Sequence, residues 1–212
     1  MLVLKENLLV GEGGRKKIYL DPRDNTKCIK ITPLERKKFV KSTAKHWYKK
    51  FRSLNSFDEN TVEMKAHRNM KNKDNDAYNH IPKFYGDIET NFGWGIIVEY
   101  LNNIISLRDF IIKYGVTDDL IKAIKEMFLN FIKNNIEIRD YTSINYMVKF
   151  VDNKPKIYLI DGLGTANLIP LHRIPYFGKK QTIRRLKKML VLLQKEFPEY
   201  KDKFDFEKIV YS

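Results

Sequence analysis

The chain has 212 residues, and its contents of 43% hydrophobic and 13% aromatic residues are typical of a globular protein with one compact domain or two small lobes, which excludes a disordered chain. The formal charge of +14 predicts attraction to a polyanion such as nucleotide phosphates, nucleic acid, an anionic membrane or an acidic glycolipid, although solubility alone explains it equally well. The single cysteine excludes an internal disulfide, and with no signal peptide and no uncharged run of about 18 residues we expect a cytoplasmic protein.

The first elements are a predicted strand and a glycine-rich turn. Residues 2–10 are rich in Leu and Val, and Gly11, Gly13, Gly14 and Arg15 follow before a second apolar stretch. Backbone N–H groups of such a turn can approach phosphate, because glycine has no Cβ to block them. A β-hairpin with a glycine turn explains the same residues without a ligand.

The next predicted strand, Cys28 to Ile31, carries a lysine between apolar residues. Lys30 is either an ordinary outward-facing lysine or the lysine that contacts the α- and β-phosphates of a nucleotide, one hairpin after the glycine turn. Cys28 lies on the same face of this strand and is small enough to floor an adenine pocket, but burial as a small hydrophobic residue is the ordinary role of a lone cysteine.

Two helices are predicted after this strand. Residues 36–52 contain eight basic and no acidic residues with aromatics between them, which predicts a basic amphipathic helix. This helix either grips an anionic partner or presents a solvated face. The second helix, over residues 61–70, is capped by Asp58 or Asn60 and carries Glu63 as the candidate partner of Lys30, although the helix dipole alone also favours an early glutamate.

Residues 71–80 read as a polar surface loop, followed by two strands joined at residues 91–93. The second of these strands is apolar enough to be buried and ends at Glu99, Tyr100 and Leu101. In a two-lobed protein this is the connector whose backbone groups meet adenine, and a second domain begins at residue 102.

The second half of the chain is mainly helical in pattern. A helix follows Ser106, which is a plausible cap, and ends at Gly115; another, over 118–134, carries one apolar stripe that belongs to the core. Residues 178–197 predict a helix with one basic and one apolar face. The four histidines and the cysteine show no metal-ligand spacing.

Between these helices lies the stretch that suggests a chemistry. Asp140 is followed five residues later by Asn145, and Asp161 comes at the end of an apolar run sixteen residues after that. Phosphoryl transfer uses one carboxylate to orient the acceptor hydroxyl, and an amide and a second carboxylate to hold Mg²⁺ against ATP.

Taken in order, these motifs resemble the protein-kinase-like fold. More closely, the chain resembles the PhoP regulatory network protein YrbL family in four stretches, which are Gly11 to Tyr19, Asp21-Pro22 leading to Cys28-Ile29-Lys30, Ile81 to Gly86, and Leu159-Ile160-Asp161 with Gly164 to Pro170. The resemblance implies an α+β fold with two lobes and minimal length. Residues 1–101 would form a small antiparallel β lobe that includes helices 36–52 and 61–70, and residues 102–212 a mainly helical lobe.

The resemblance also implies the roles of the site residues. Gly11 to Arg15 would cover the phosphates of ATP, Lys30 would contact them, Glu63 would pair with Lys30, and the backbone of Glu99 and Leu101 would meet the adenine. Asp140 would orient or deprotonate the acceptor hydroxyl, while Asn145 and Asp161 would hold Mg²⁺.

Three positions depart from the usual protein-kinase pattern. Lys16 replaces the third glycine of the loop, Ile138 replaces the histidine before Arg-Asp, and Gly162 replaces the phenylalanine after the metal-binding aspartate. None of them removes a group that phosphoryl transfer needs, and only about fifty residues follow Gly164. We therefore expect a compact kinase without the regulatory elements and substrate platform of ordinary protein kinases.

We expect an ATP- and Mg²⁺-dependent phosphotransferase whose acceptor is a hydroxyl on a protein or on an anionic sugar or lipopolysaccharide-type molecule. Its basic helices would contact a membrane surface or another polyanion. The first alternative is a nucleotide-binding pseudokinase that regulates a partner in an envelope-stress network. A weaker alternative is an RNA-binding protein. Under the kinase hypothesis we expect no nucleic-acid partner. The identity of the acceptor and the oligomeric state do not follow from the sequence.

Overall fold

The computed structural model describes residues 1–13, 15–43, 58–71, 75–164 and 175–211. The chain divides into two compact units. The first contains residues 1–67 and 83–101, and the second contains residues 68–82 and 102–212.

The first unit contains a five-stranded antiparallel sheet in the order β1-β2-β3-β5-β4. The strands are β1 (Leu9–Glu12), β2 (Lys17–Asp21), β3 (Asp24–Ile31), β4 (Phe84–Thr90) and β5 (Gly93–Glu99). The central strand β3 is buried on both faces, because Ile29 and Ile31 pack with Leu4 and Tyr19 while Cys28 packs with a separate cluster around Ile96. Lys30 shares the face of Cys28, since side chains alternate along a strand.

The N-terminal strand is shorter than predicted. A 3₁₀ helix occupies Glu6–Leu8, where Leu8 N–H donates to the carbonyl of Lys5 at 3.0 Å, and β1 begins only at Leu9. The apolar residues before it are still used, because Leu4 is buried and its N–H donates to Asn91 Oδ1 at 2.7 Å. A leucine-rich stretch thus lines the core here without continuous strand pairing.

Two helices follow the strand β3. Helix α1 spans Leu34–Ser42 and accounts for the first part of the basic segment predicted over 36–52, whose residues 44–52 lie outside the described ranges. Helix α2 spans Glu59–Lys71 and begins two residues before the predicted 61–70. It begins there because Asp58 caps it, accepting a hydrogen bond from Asn60 N–H at 2.9 Å.

The second unit combines helices with a small antiparallel sheet of order β6-β7-β8. The strands are β6 (Ile104–Ser106), β7 (Tyr146–Val151) and β8 (Lys154–Leu159), and the helices are α3 (Leu107–Tyr114), α4 (Asp118–Lys133), α5 (Pro175–Glu196) and α6 (Phe206–Tyr211). Short 3₁₀ helices lie at Asn75–His80, Ser143–Asn145 and Pro198–Phe204.

Helices α3, α4 and α5 form where the sequence pattern predicts them, whereas α6 was not predicted. Ser106 caps α3 by accepting from Asp109 N–H at 3.0 Å, and Thr117 caps α4. The apolar stripe of α4, including Ile124 and Phe128, is buried, and each such side chain contributes about 1.5–3 kcal/mol when fully buried. In the described residues no helix is both long and apolar enough to cross a membrane.

Residues 71 and 75–80, the described part of the segment predicted as a surface loop over 71–80, are instead helical, and some of them are buried. Asn75–His80 form a 3₁₀ helix in which Ala77 and His80 are buried. His80 Nδ1 lies 2.8 Å from the carbonyl oxygen of Ile157 on β8. The prediction was wrong because it relied on the local polarity of the sequence. That polarity carries no information about the contact between His80 and a carbonyl 77 positions away.

Candidate active site

Lys30 and Glu63 form a buried ion pair in the first unit. Lys30 Nζ donates to Glu63 Oε1 at 2.7 Å, and the two residues are 5% and 1% exposed. Lysine is almost never this buried unless it has a partner. From the sequence alone, Lys30 could also have faced outward. In the structure its side chain is buried.

Asp58, directly before α2, and two residues of the helix hold Glu63 in this position. Asp58 caps the helix, and Asn60 Nδ2 donates to the backbone carbonyl of Lys30 at 2.8 Å, which fixes the first turn of α2 against β3. One turn after Glu63, the ring of His67 stacks on Phe84 of β4 with centroids 5.0 Å apart. The helix thus contacts two different strands on either side of its glutamate.

Lys16 is a member of the same cluster, a role that was not predicted from the sequence. Its ammonium group pairs with Glu63 Oε2, and the residue is only 5% exposed. Alternation along the strand places Lys16 on the face of Ile18, but the pairing of Ile18 with Lys30 is visible only in the fold. Two lysines from neighbouring strands therefore share one carboxylate.

The charges of this cluster set its protonation. Burial by itself would raise the pKa of Glu63, but the Lys16 and Lys30 ammonium groups and the His67 ring outweigh burial and hold that pKa well below its usual value. Burial lowers the pKa of His67, which keeps its ring neutral at pH 7. The cluster therefore contains a carboxylate between two lysines over a wide pH range.

The glycine-rich segment forms the turn between β1 and β2. Gly13 N–H donates to the carbonyl of Lys16 at 3.0 Å, and Gly11 pairs with Ile18. A Cβ on Gly13 would meet nothing within 4 Å, so the fold itself does not require glycine there. Arg15 is exposed, and Gly14 lies outside the described residues.

The predicted adenine connector ends strand β5. Glu99 N–H donates to the carbonyl of Lys83 at 2.8 Å, and the Cys28 thiol donates to the carbonyl of Glu99 at 3.8 Å. Both backbone groups of Glu99 are therefore engaged within the unit, while Leu101 is buried. Burial raises the pKa of the Cys28 thiol to about 11. An adenine-binding role for Glu99 and Leu101 stays a prediction.

In the second unit, backbone hydrogen bonds join the segment containing Asp140 and Asn145 to the segment containing Asp161. Arg139 N–H donates to the carbonyl of Gly162 at 2.7 Å, and Ile160 N–H donates to the carbonyl of Asn145 at 2.9 Å. The residues that flank Asp140 and Asp161 are thus paired directly. Main-chain contacts thus hold the segment of Asp161 next to the loop that contains Asp140 and Asn145.

The side chains in these segments are oriented by short-range hydrogen bonds. Asp140 Oδ1 accepts from Thr142 N–H at 3.2 Å and from the Thr142 hydroxyl at 2.9 Å. Asn145 Nδ2 donates to the same hydroxyl at 3.0 Å. The Ser143 hydroxyl donates to the Glu196 carboxylate near the end of α5 at 2.9 Å. Thr142 and Ser143 were not identified as site residues from the sequence.

Asn145 and Asp161 have the chemistry of a Mg²⁺ site. The amide nitrogen of Asn145 is bound to Thr142, which directs its carbonyl oxygen elsewhere, and one oxygen of Asp161 accepts from Gly162 N–H at 2.7 Å. Amide and carboxylate oxygens are the ligands that Mg²⁺ prefers, together with substrate phosphates and water. In the described part of the chain, no group of three or more His, Cys, Asp or Glu residues is placed to hold a metal by itself. The residues fit a metal whose other ligands come from phosphate and water.

Gly162 allows the two segments to approach closely. Its φ is +83°, a left-handed value that costs energy for any residue with a Cβ. A Cβ placed there would lie 2.7 Å from the carbonyl oxygen and 2.8 Å from the Cβ of Asp140. The glycine after Asp161 is therefore required by the path of the backbone beside Asp140.

Comparison with known proteins connects this geometry to a family and to a fold. The model of the family described as PhoP regulatory network protein YrbL matches residues 2–194. A crystal structure of Rad53 residues 1–466 in complex with AMP-PNP is similar, with a TM-score of 0.52 and 16% sequence identity. The similarity covers 86% of this chain and 44% of the Rad53 chain, so the present chain spans less than half of that length. No curated protein matches the chain.

These findings confirm the predicted fold class, because the structural similarity extends over most of the chain and combines an antiparallel sheet with helices. The fold is α+β and protein-kinase-like. The family match covers most of the chain as well. The chain belongs to the PhoP regulatory network protein YrbL family.

Proposed function

We propose that the protein is an ATP- and Mg²⁺-dependent phosphotransferase that transfers the γ-phosphate to a hydroxyl group of a protein or of an anionic sugar or lipopolysaccharide-type acceptor. The observation that carries the proposal is the buried pair of Lys30 and Glu63. Burying a lysine and a glutamate is costly even when they are paired. Strongly perturbed, desolvated charges are found preferentially at functional sites.

In this proposal the first unit binds ATP. The backbone N–H groups of Gly11 to Arg15 cover the phosphates, Lys30 contacts them, and Glu63 holds the Lys30 ammonium group in position. Open space above Gly13 supports this role, because a backbone that lacks a Cβ can approach phosphate oxygens closely. The backbone of Glu99 and Leu101 forms the edge that meets the adenine. The similarity to a structure solved with AMP-PNP is consistent with a nucleotide ligand.

The second unit supplies the groups for transfer. Asp140 accepts a hydrogen bond from the acceptor hydroxyl and takes its proton, while Thr142 fixes the Asp140 carboxylate. Asn145 and Asp161 hold Mg²⁺. When bound, the metal neutralises charge that develops on the phosphoryl oxygens. The side chains of this chain therefore position and stabilise the reactants, which is the main requirement of phosphoryl transfer.

An anionic acceptor is supported by the basic face of α5. A groove of about 370 Å³ is lined by Phe177, Lys180, Gln181, Arg184 and Arg185. This face continues to the segment of Asp140, because the Arg185 guanidinium lies 5.5 Å and the Lys188 ammonium 5.7 Å from the ring centroid of Tyr141. Phosphate or carboxylate groups of an acceptor would be attracted here, whereas the proposal includes no nucleic acid. A cytoplasmic location suits the proposal, because ATP is available there.

The test is transfer of radiolabelled γ-phosphate from ATP in the presence of Mg²⁺. Wild type, Asp140→Ala and Asp161→Ala are compared with Asp202→Ala, which removes an exposed aspartate outside the site. The acceptor is first the protein itself, then a cell extract, then purified lipopolysaccharide. We expect transfer by wild type and Asp202→Ala only. ATP binding by wild type without transfer to any acceptor would overturn the proposal in favour of a nucleotide-binding pseudokinase regulator.

A further inference from the structure

The glycine-rich segment ends in a buried lysine. Lys16 follows the turn between β1 and β2, and its side chain runs inward to Glu63. Its neighbour Lys17 is partly exposed and pairs with Glu12 at 3.3 Å on the outside. Adjacent lysines in the same strand region thus have opposite environments, and only one of them reaches the interior.

The two buried ammonium groups are necessarily close to each other. Lys30 binds one oxygen of the Glu63 carboxylate and Lys16 binds the other. Both groups therefore lie within hydrogen-bonding distance of a single carboxylate, so the space next to the Lys30 ammonium is also next to the Lys16 ammonium. A phosphate that contacts Lys30 from this side would be within reach of Lys16 as well.

A purely structural explanation of Lys16 is weak. Burying an ammonium group costs desolvation energy, and Lys16 brings a second one to a carboxylate that Lys30 already contacts. The hydrophobic cluster of Cys28, Ile96 and Val98, against which Ile18 packs, would accommodate an apolar side chain on this face at lower cost. A second lysine here is explained by an anionic ligand that arrives with several negative charges.

We propose that Lys16 is a second phosphate-contacting lysine of the nucleotide site, which shares Glu63 with Lys30. This inference rests on the proposed function. In the nucleotide complex both lysines donate to phosphate oxygens, and Glu63 orients both of them. The ligand class is a nucleoside di- or triphosphate, since the phosphates and not the base or ribose would contact Lys16.

The experiment measures binding of ATP, ADP and adenosine to the full chain by isothermal titration calorimetry with Mg²⁺. The variants are Lys16→Met, Lys30→Met, and the triple variant Lys16→Met/Lys30→Met/Glu63→Gln, which removes the Glu63 carboxylate together with both lysines. Lys17→Met and Lys27→Met are the matched controls, because each removes a lysine outside the cluster. Lys16→Met leaves Lys30 to pair with Glu63, so we expect it to fold; Lys16→Arg, which keeps the charge, is measured beside it.

We expect Lys16→Met to weaken binding of ATP about tenfold or more, as for the loss of a charge-assisted hydrogen bond, and to leave adenosine binding unchanged. The triple variant should bind ATP no better than adenosine, Lys16→Arg should bind ATP more tightly than Lys16→Met, and both controls should match wild type. Equal ATP affinity of wild type and Lys16→Met, or equal losses for ATP and adenosine, would overturn the inference while leaving the proposed function intact. A wild type that binds no ATP would overturn both.

Discussion

Replacing Gly162 by alanine is expected to destabilise the protein more than replacing another left-handed glycine. Gly162 has φ +83°, and a Cβ there would lie 2.7 to 3.1 Å from three atoms of Asp140, two of them in the backbone. Backbone atoms cannot turn away as a flexible side chain can. The Asp140 and Asp161 segments would therefore have to separate.

The magnitude follows from two costs. A residue with a Cβ in the left-handed region costs about 1–2 kcal/mol, and forcing extra volume into a packed site costs about 1–3 kcal/mol more. The sum, about 2–5 kcal/mol, corresponds to a fall of at least about 4 °C in the midpoint of thermal unfolding for a chain of this size. Under the proposed function, a displacement of Asp140 by about 1 Å should lower phosphate transfer about 100-fold.

The matched control is Gly115→Ala in the same unit. Gly115 has φ +71°, and a Cβ there would approach only the hydroxyl end of the Tyr200 side chain, at 3.0 Å. This variant has the same conformational cost without a fixed obstacle. Differential scanning calorimetry of both variants measures the difference. If Gly162→Ala unfolds at the same temperature as Gly115→Ala, the close contact with Asp140 does not constrain the backbone, and the reasoning is refuted.

Three further predictions concern buried polar groups. Tyr146 is fully buried, its hydroxyl has no hydrogen-bond partner among the described residues, and burial raises its pKa. Tyr146→Phe should therefore raise the free energy of unfolding, measured by urea titration, by about 1 kcal/mol. A loss of stability would show that the hydroxyl is hydrogen-bonded. Burial lowers the pKa values of His67 and His80 from 6.5. The contribution of each neutral ring to stability should therefore be complete above pH 6.5, and stability should fall below that pH by up to about 1.4 kcal/mol per pH unit for each ring. His67→Gln should reduce this slope, and an unchanged slope would show that His67 contributes nothing to it. Cys28 is buried with a pKa of about 11, so N-ethylmaleimide should label it at pH 8 only after unfolding, and rapid labelling of the native protein would contradict its burial.

The elements with long regular patterns could be predicted from the sequence. Helix α4 repeats its apolar residues at helical spacing over 16 residues and has Thr117 as a cap, so its type and its burial both follow. The cap at Ser106 was likewise visible, because hydroxyl side chains before an apolar-periodic run favour helix starts. Helix type, burial and caps could be predicted because each depends on residues that are close together in the sequence.

Contacts between residues that are distant in sequence could be predicted only where a known motif contains both residues. Glu63 was selected as the partner of Lys30 from the order of motifs, although the two are 33 positions apart. No motif marked Lys16 as a third member of this group, and none marked the contact of His80 with β8. Both side chains look like surface residues in a linear reading, since polarity predicts exposure unless a buried partner is known.

The three departures from the usual kinase pattern have separate structural roles in this chain. Lys16, in place of a glycine, pairs with Glu63; Ile138, in place of a histidine, is buried and forms a β-bridge to Leu163; and Gly162, in place of a phenylalanine, allows the backbone beside Asp140 to close. Each residue thus contacts the same segments that the proposed chemistry requires. Restoring glycine at position 16 would remove the contact with Glu63, and a side chain at position 162 would clash with Asp140. The departures are therefore compatible with the proposed function, because each residue has a structural role where it stands.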